Sequence, residues 1–184
     1  TSIPTAELLS IAYEDTLSIF AAKKQKNKKA KMLYNSGDVT KTLKLIKPVR
    51  YRKEINFGEN LRAIFFENQH LVGSSMILIR SSVYNGDEVN VLFTGDYNNK
   101  NSFLDTVDLP NWVYDLKNLT IVIESTYGTT DSSQVESVWE ENIIRACNDN
   151  KSILIPCFAQ GRYQEILYRL KCLQKQKSIP NNYI

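Results

Sequence analysis

One histidine, three cysteines and no apolar run near the roughly 18 to 20 residues of a membrane-spanning helix mark what this 184-residue chain has little of. The cysteines, Cys147, Cys157 and Cys172, form no CxxC pair. An odd, unpaired set argues for reduced thiols in an intracellular setting, not for a disulfide framework or a cysteine zinc knot. No charged-then-apolar signal segment opens the chain, which argues against secretion. No internal repeat occurs, and no low-complexity segment outside one lysine stretch. What is present is ordinary: 42% hydrophobic and 23% charged residues favour neither disorder nor a fibrous repeat. The length suits one well-buried domain, or one domain and part of another. A net charge of +3 permits an anionic partner such as nucleic acid without pointing to one. The chain begins at Thr1 without a methionine and ends in Ile179-Pro180-Asn181-Asn182-Tyr183-Ile184, which reads like the opening of a strand. Both ends are therefore expected to be cut.

Along the chain the apolar period changes. Thr5 stands before Ala6-Glu7-Leu8-Leu9, and Leu8, Leu9, Ala12, Tyr13, Ile19 and Phe20 recur at helical spacing, so an amphipathic helix capped at Thr5 is expected. It runs into Lys23, Lys24, Lys26, Lys28, Lys29 and Lys31, read as a solvated helix end or, alternatively, as a phosphate-contacting stretch. Asn35-Ser36-Gly37-Asp38 reads as a loop ending in an N-cap, before a short helix with Val39, Leu43 and Ile46 that stops before Pro48. Strand patterns follow at residues 61–66, 76–79 and 89–94, with Asn85-Gly86 as a hairpin turn. The β-branched run Leu119-Thr120-Ile121-Val122-Ile123 predicts a strand buried on both faces. Residues 134–146 and 161–175 read as helices, the second with Ile166, Leu167 and Leu170 inward, and Ile153-Leu154-Ile155-Pro156 as a short buried strand. The last third is thus an α/β unit.

Three acidic or imidazole side chains stand at expected strand ends. His70 follows a strand in Asn68-Gln69-His70-Leu71-Val72-Gly73-Ser74. A lone histidine is either a hydrogen-bonded loop residue or a ligand. Asp96, in Thr94-Gly95-Asp96-Tyr97-Asn98, can reach a cation from the sheet edge without burying an unpaired charge, or can form an Asx turn. Glu124 comes directly behind the run ending at Ile123, as a site carboxylate or a cap.

Taken together these segments resemble the β-CASP branch of the metallo-β-lactamase superfamily. Gln69-His70-Leu71-Val72-Gly73-Ser74 is similar to the family's GHVLGA or GHILGS segment apart from the glycine before the histidine. Phe93-Thr94-Gly95-Asp96 is similar to its TGD segment, and Glu124-Ser125-Thr126-Tyr127-Gly128 repeats its ESTYG segment unchanged. Ile155-Pro156-Cys157-Phe158-Ala159-Gln160-Gly161-Arg162-Tyr163-Gln164-Glu165 resembles its IPVFALGRAQE strand, turn and helix. The resemblance covers nearly the whole chain and favours the RNA-processing branch.

It implies an α/β fold: part of a metallo-β-lactamase αββα sandwich over residues 1–128, lacking its upstream metal-ligand segment, then the start of a β-CASP domain over residues 129–184. It implies a zinc-dependent RNA phosphodiester hydrolase with two zinc ions, His70 on one and Asp96 bridging both. Glu124 would orient or polarise a proton-donating histidine. Ser125, Thr126, Gly161 and Arg162 could line an RNA channel, or pack the two domains together. The partners implied are single-stranded RNA and a homodimer or larger RNA-processing complex, with no membrane, in the cytoplasm or alternatively the nucleus. The family's His-x-His-x-Asp-His motif and its later histidines are absent from this sequence, so the chain alone is expected to be inactive. An inactive scaffold binding RNA or a nuclease partner, and a small-molecule hydrolase, are the competing readings.

Overall fold

Hairpin-ready strands, spaced for one half-buried sheet, dominate the middle of the chain, and the computed structural model shows that sheet directly. It describes residues 1–82, 87–98, 104, 108–126, 128 and 135–181. The strands are β1 (Glu54–Asn56), β2 (Leu61–Glu67), β3 (Ser75–Ser82), β4 (Glu88–Phe93) and β5 (Leu119–Val122). They lie in sequence order, antiparallel from β1 to β4, with β5 parallel to β4. The β4 to β5 crossover passes through the short helix α3 (Asn111–Tyr114), as a parallel pair requires. Alternation puts Ile64, Phe66, Leu78 and Leu92 on one face, where Val113 of α3 closes a buried cluster. Phe66 and Trp112 meet there with ring centroids 6.2 Å apart.

Two helices precede the sheet: α1 (Ile3–Lys26) and α2 (Ser36–Leu45). The cap of α1 is Ser2, not Thr5. Pro4 accounts for this, since the first helical turn is where a missing N–H costs nothing. The expected amphipathic face is also corrected. No residue of α1 is buried, its apolar residues are not gathered on one side, and Ile11 and Ile19 are exposed. Tyr34, on the return from α1, meets Tyr13 and Phe20 edge-on. Asn35 caps α2, and Asp38 answers as the other half of a capping box; the expected cap thus lies at the start of the Asn35-Ser36-Gly37-Asp38 cluster.

The last third holds α4 (Val135–Asn148) and α5 (Arg162–Lys175). A second cluster of Ile143, Cys147, Leu173 and Ile179 joins them, and Ile166, Leu167 and Leu170 are half-buried. Arg169 lies 4.8 Å over the Trp139 ring and pairs with Glu140 at 3.2 Å. All three cysteines are present as thiols. Burial raises the Cys147 thiol pKa, which keeps it an uncharged core residue.

Three further expectations need correction or limits. The strand at 119–122 is not buried on both faces: it lies at the end of the strand order, and Ile121 and Val122 are exposed. Residues 153–156 form no strand, and Leu154 is 92% exposed; a strand needs a partner ladder, and the described residues supply none there. Strand β1 was not legible because it is only 3 residues long. The Asn85-Gly86 turn, Tyr127, Gln134 and residues 182–184 lie outside the described residues, and Ile179 to Asn181 are not in a strand.

The buried position of Leu78, 0% exposed against 92% for Leu154, separates real core from apolar sequence. Leu78→Ala should cost about 2–5 kcal/mol in urea unfolding, whereas Leu154→Ala should stay within about 0.5 kcal/mol. Equal losses would overturn this assignment of the core.

Candidate active site

Strands β2, β4 and β5 run in the same direction, so their C-terminal ends open on one edge of the sheet. His70 follows β2, Asp96 follows β4 and Glu124 follows β5. Residues 54 positions apart in sequence thus face one another through topology alone.

The join is made by Asn68, a buried residue that sequence reasoning passed over. It continues the inward alternation of Ile64 and Phe66, and a polar residue in that series was the available signal. Its Nδ2 donates to the carbonyls of Thr94 and Asp96, each at 3.0 Å. Its Oδ1 accepts from the His70 backbone N–H at 3.3 Å and from the Ser74 hydroxyl. Its own carbonyl accepts from the Asn98 N–H at 3.0 Å. Thr94 N–H continues the ladder to the Val122 carbonyl at 3.0 Å, which ties in the β5 end.

The loop after His70 is fixed from below. Gly73 adopts φ +91°, and a Cβ there would sit 2.8 Å from the Thr5 backbone nitrogen. Its carbonyl accepts from the hydroxyls of Ser2 at 2.6 Å and Thr5 at 2.8 Å. The first turn of α1 therefore buttresses the His70 loop. Gly95, at φ +57°, lets the chain turn out of β4 so that Asp96 points away from the sheet.

His70 Nε2 lies 4.0 Å from Asp96 Oδ2, with side chains 44% and 74% exposed. Glu124 Oε2 accepts the Thr126 N–H at 2.6 Å. That backbone bond, then one from the Thr126 hydroxyl, holds the Glu124 carboxyl below its usual pKa, with a smaller Coulombic contribution from His70. Glu124 therefore caps its own turn, as the bland reading expected, and also stands within the field of His70.

Beside His70 opens a cavity of about 730 Å³. Its walls are the His70-Leu71-Val72 loop, Asn98 and Leu104 on one side and residues 156–158 and 160–162 with Glu165 on the other. The two sides touch closely, since a Cβ at Gly161 would run into the Leu71 side chain. Gly161 and Arg162 line this cavity and Arg162 pairs with Glu165 at 2.6 Å; Ser125 and Thr126 are exposed residues that do not line it.

Comparison with known proteins gives a consistent set of relatives. An RNase J-like protein of Methanocaldococcus jannaschii is 27% identical over 98% of this chain and 37% of its own length. Transcription termination factor FttA of Methanosarcina mazei is 29% identical over 96% of this chain and 27% of its own length. Cleavage and polyadenylation specificity factor subunit 3 of Dictyostelium discoideum is 29% identical over 74% of this chain and 17% of its own length. The chain is a relative of the β-CASP metallo-β-lactamase-fold ribonucleases. No family model matches it. The chain spans well under two thirds of these β-CASP relatives' own lengths.

That kinship implies a metal, and the residues can be tested for it. Two donors sharing one tetrahedral zinc at about 2.1 Å lie roughly 3.4 Å apart. An imidazole nitrogen and a carboxylate oxygen 4.0 Å apart and open to solvent suit two corners of such a site. They do not complete it. Among the described residues no group of three or more His, Cys, Asp or Glu side chains could hold a metal ion.

Two outcomes check this geometry. Asn68→Ala leaves buried carbonyls without their donor, so urea unfolding should show a loss of about 1–3 kcal/mol, and the ring signals of the only histidine should shift in proton NMR; an unchanged midpoint would remove the clamp from the account. The Thr126 amide signal should titrate below the ordinary glutamate pKa and lose that titration in Glu124→Gln. Because the folded carboxyl titrates below the unfolded one, the turn's contribution is complete above the unfolded value and is lost as the pH falls through the folded one.

Proposed function

We propose that the protein is a metal-dependent ribonuclease of the RNA-processing kind, hydrolysing phosphodiesters in single-stranded RNA. The observation that carries this reading is the meeting of His70, Asp96 and Glu124 on one sheet edge, beside a cavity large enough for a nucleotide. The names of further relatives point the same way, among them RNase aCSPSF2 of Saccharolobus solfataricus and Endoribonuclease ysh1 of Aspergillus fumigatus. Residues 1–128 are the partial metallo-β-lactamase domain and residues 129–184 the start of the β-CASP domain; two separate apolar clusters support that division.

His70 would be a ligand of one of two zinc ions and Asp96 a ligand of both, and the rest of the ligand set would come from outside this sequence. Zinc, when bound, supplies Lewis-acid chemistry at the phosphodiester. Asn68 holds the His70 N–H and the carbonyls of Thr94 and Asp96, so the backbone that carries both residues is set before substrate arrives. Glu124, held ionised by its bonds from Thr126, would orient a histidine from outside this sequence that protonates the leaving oxygen. Gly161 and Arg162 present backbone and guanidinium to the RNA across the cavity, and the exposed Ser125 and Thr126 contact the strand outside it. Among the described residues no helix is long and apolar enough to cross a membrane. We place the protein in the cytoplasm, with the nucleus as the alternative, as a homodimer or within a larger RNA-processing complex.

The test is cleavage of a labelled single-stranded RNA, with zinc, by a protein in which this chain is joined to the missing ligand segments. Asp96→Ala should lower the rate by roughly a thousand-fold or more, as loss of several kcal/mol of metal stabilisation demands. Glu124→Gln, acting through another residue, should cost about 10- to 100-fold. A zinc-loaded protein that binds RNA without cutting it would leave a scaffold in place of the enzyme.

A further inference from the structure

The net charge of +3 conceals a strong segregation. Between residues 16 and 53 stand twelve lysines and arginines and a single carboxylate, Asp38. The rest of the chain carries eleven cations against nineteen carboxylates. All twelve cations are exposed, and among the described residues none of the ten lysines takes part in an ion pair; Arg52 alone does, with Glu67.

Their placement follows the α1–α2 hairpin. Six lysines lie at the end of α1 and just beyond it. Helix α1 spans 24 residues, about 36 Å at 1.5 Å per residue. The lysines therefore stand on the order of 30 Å from Ser2 and Thr5, whose hydroxyls hold Gly73 in the His70 loop. Lys41, Lys44 and Lys47 then follow α2 back, because Val49 pairs with Ser2 and its N–H donates to the Thr1 carbonyl at 2.9 Å. A line of unneutralised cations thus runs from a distant point to the candidate site.

We infer that the α1–α2 hairpin is an arm that holds the phosphate backbone of the RNA strand at a distance from the cleaved bond. This rests on the ribonuclease reading above for its choice of RNA. Helix C-terminal charge compensation accounts for Lys23, Lys24 and Lys26, in the last turn of α1. It does not account for Lys28, Lys29 and Lys31, which lie past the helix. A membrane surface would call for an apolar stripe opposite the lysines, and α1 has none. Lysine ammonium groups on an exposed arm suit sequence-independent contact through counterion release.

The arm predicts a dependence on strand length. Binding of the chain to a labelled single-stranded RNA of roughly thirty nucleotides and to a hexanucleotide is measured by anisotropy across a salt series. Replacing Lys26, Lys28, Lys29 and Lys31 with glutamine should weaken the long strand roughly ten-fold or more at about 0.1 M salt and lower its log–log salt slope by about 3, while leaving the hexanucleotide unchanged. Far-ultraviolet circular dichroism of the variant, matching wild type, separates lost contacts from a lost fold. Wild-type affinity and slope in the variant would overturn the arm, as would failure of the long strand to bind more tightly than the short one. So would preference for phosphatidylserine vesicles over RNA. Because the readout is binding, the arm stands or falls independently of Asp96-dependent cleavage: absence of cutting by the zinc-loaded protein joined to its missing ligand segments, with long-strand binding intact, sinks the nuclease reading alone.

Discussion

The candidate site depends on one buried amide. A side chain removed from water must satisfy its donors and acceptors within the protein, and Asn68 does so with groups from two different strand ends. Both Nδ2 hydrogens go to the β4 end and Oδ1 takes the His70 N–H and the Ser74 hydroxyl. Each bond limits where a neighbouring loop can go. Gly73 and Gly95, both at positive φ, supply the sharp turns in the two loops that the amide joins. Exposed side chains such as His70 and Asp96 can then keep a fixed relation without being packed themselves.

The sheet gives its two ends opposite electrostatics. At the end away from His70, Arg62 and Arg80 interleave with Glu54 and Glu88, the shortest contact being 2.8 Å. Those charges neutralise one another, and half-exposed pairs of this kind contribute little to stability individually. At the other end, Asp96 and Glu124 have no arginine or lysine partner among the described ion pairs. Carboxylates left without a cationic neighbour keep the ability to attract a cation, which a paired carboxylate has already spent.

Legibility in the sequence tracked how local the cause was. Strands β2, β3 and β4 were readable because alternation records which face is buried, and α5 was readable from its turn and apolar spacing. The strand ends that carry His70, Asp96 and Glu124 were therefore placed correctly. Burial of the 119–123 run and the strand at 153–156 were not readable. Apolar composition states that a segment favours burial, but not which partner covers it, and Ile121, Val122 and Leu154 are exposed in this chain. Asn68 was missed for the converse reason: its role lies in carbonyls 26 and 28 residues away, a distance that no local pattern encodes. The cap of α1 lies about one turn before Thr5 because Pro4 is tolerated within a first helical turn.

The same distinction explains why kinship was easier to read than a complete metal site. Family segments such as Glu124-Ser125-Thr126-Tyr127-Gly128 are contiguous and can be matched one at a time. A metal site is a sum over segments, and each contributes one or two donors that mean little alone. Here β2 and β4 deliver two donors 4.0 Å apart, while Glu124 is engaged by its own turn. A zinc ion held by two exposed donors would exchange readily with water, because its affinity grows with every additional ligand held in place. Under the proposed metal-dependent reading, the fold sets the relative placement of His70 and Asp96 before any further donor arrives. Further donors entering from outside this sequence would meet an edge already shaped by Asn68, Gly73 and Gly95, and would not have to order it.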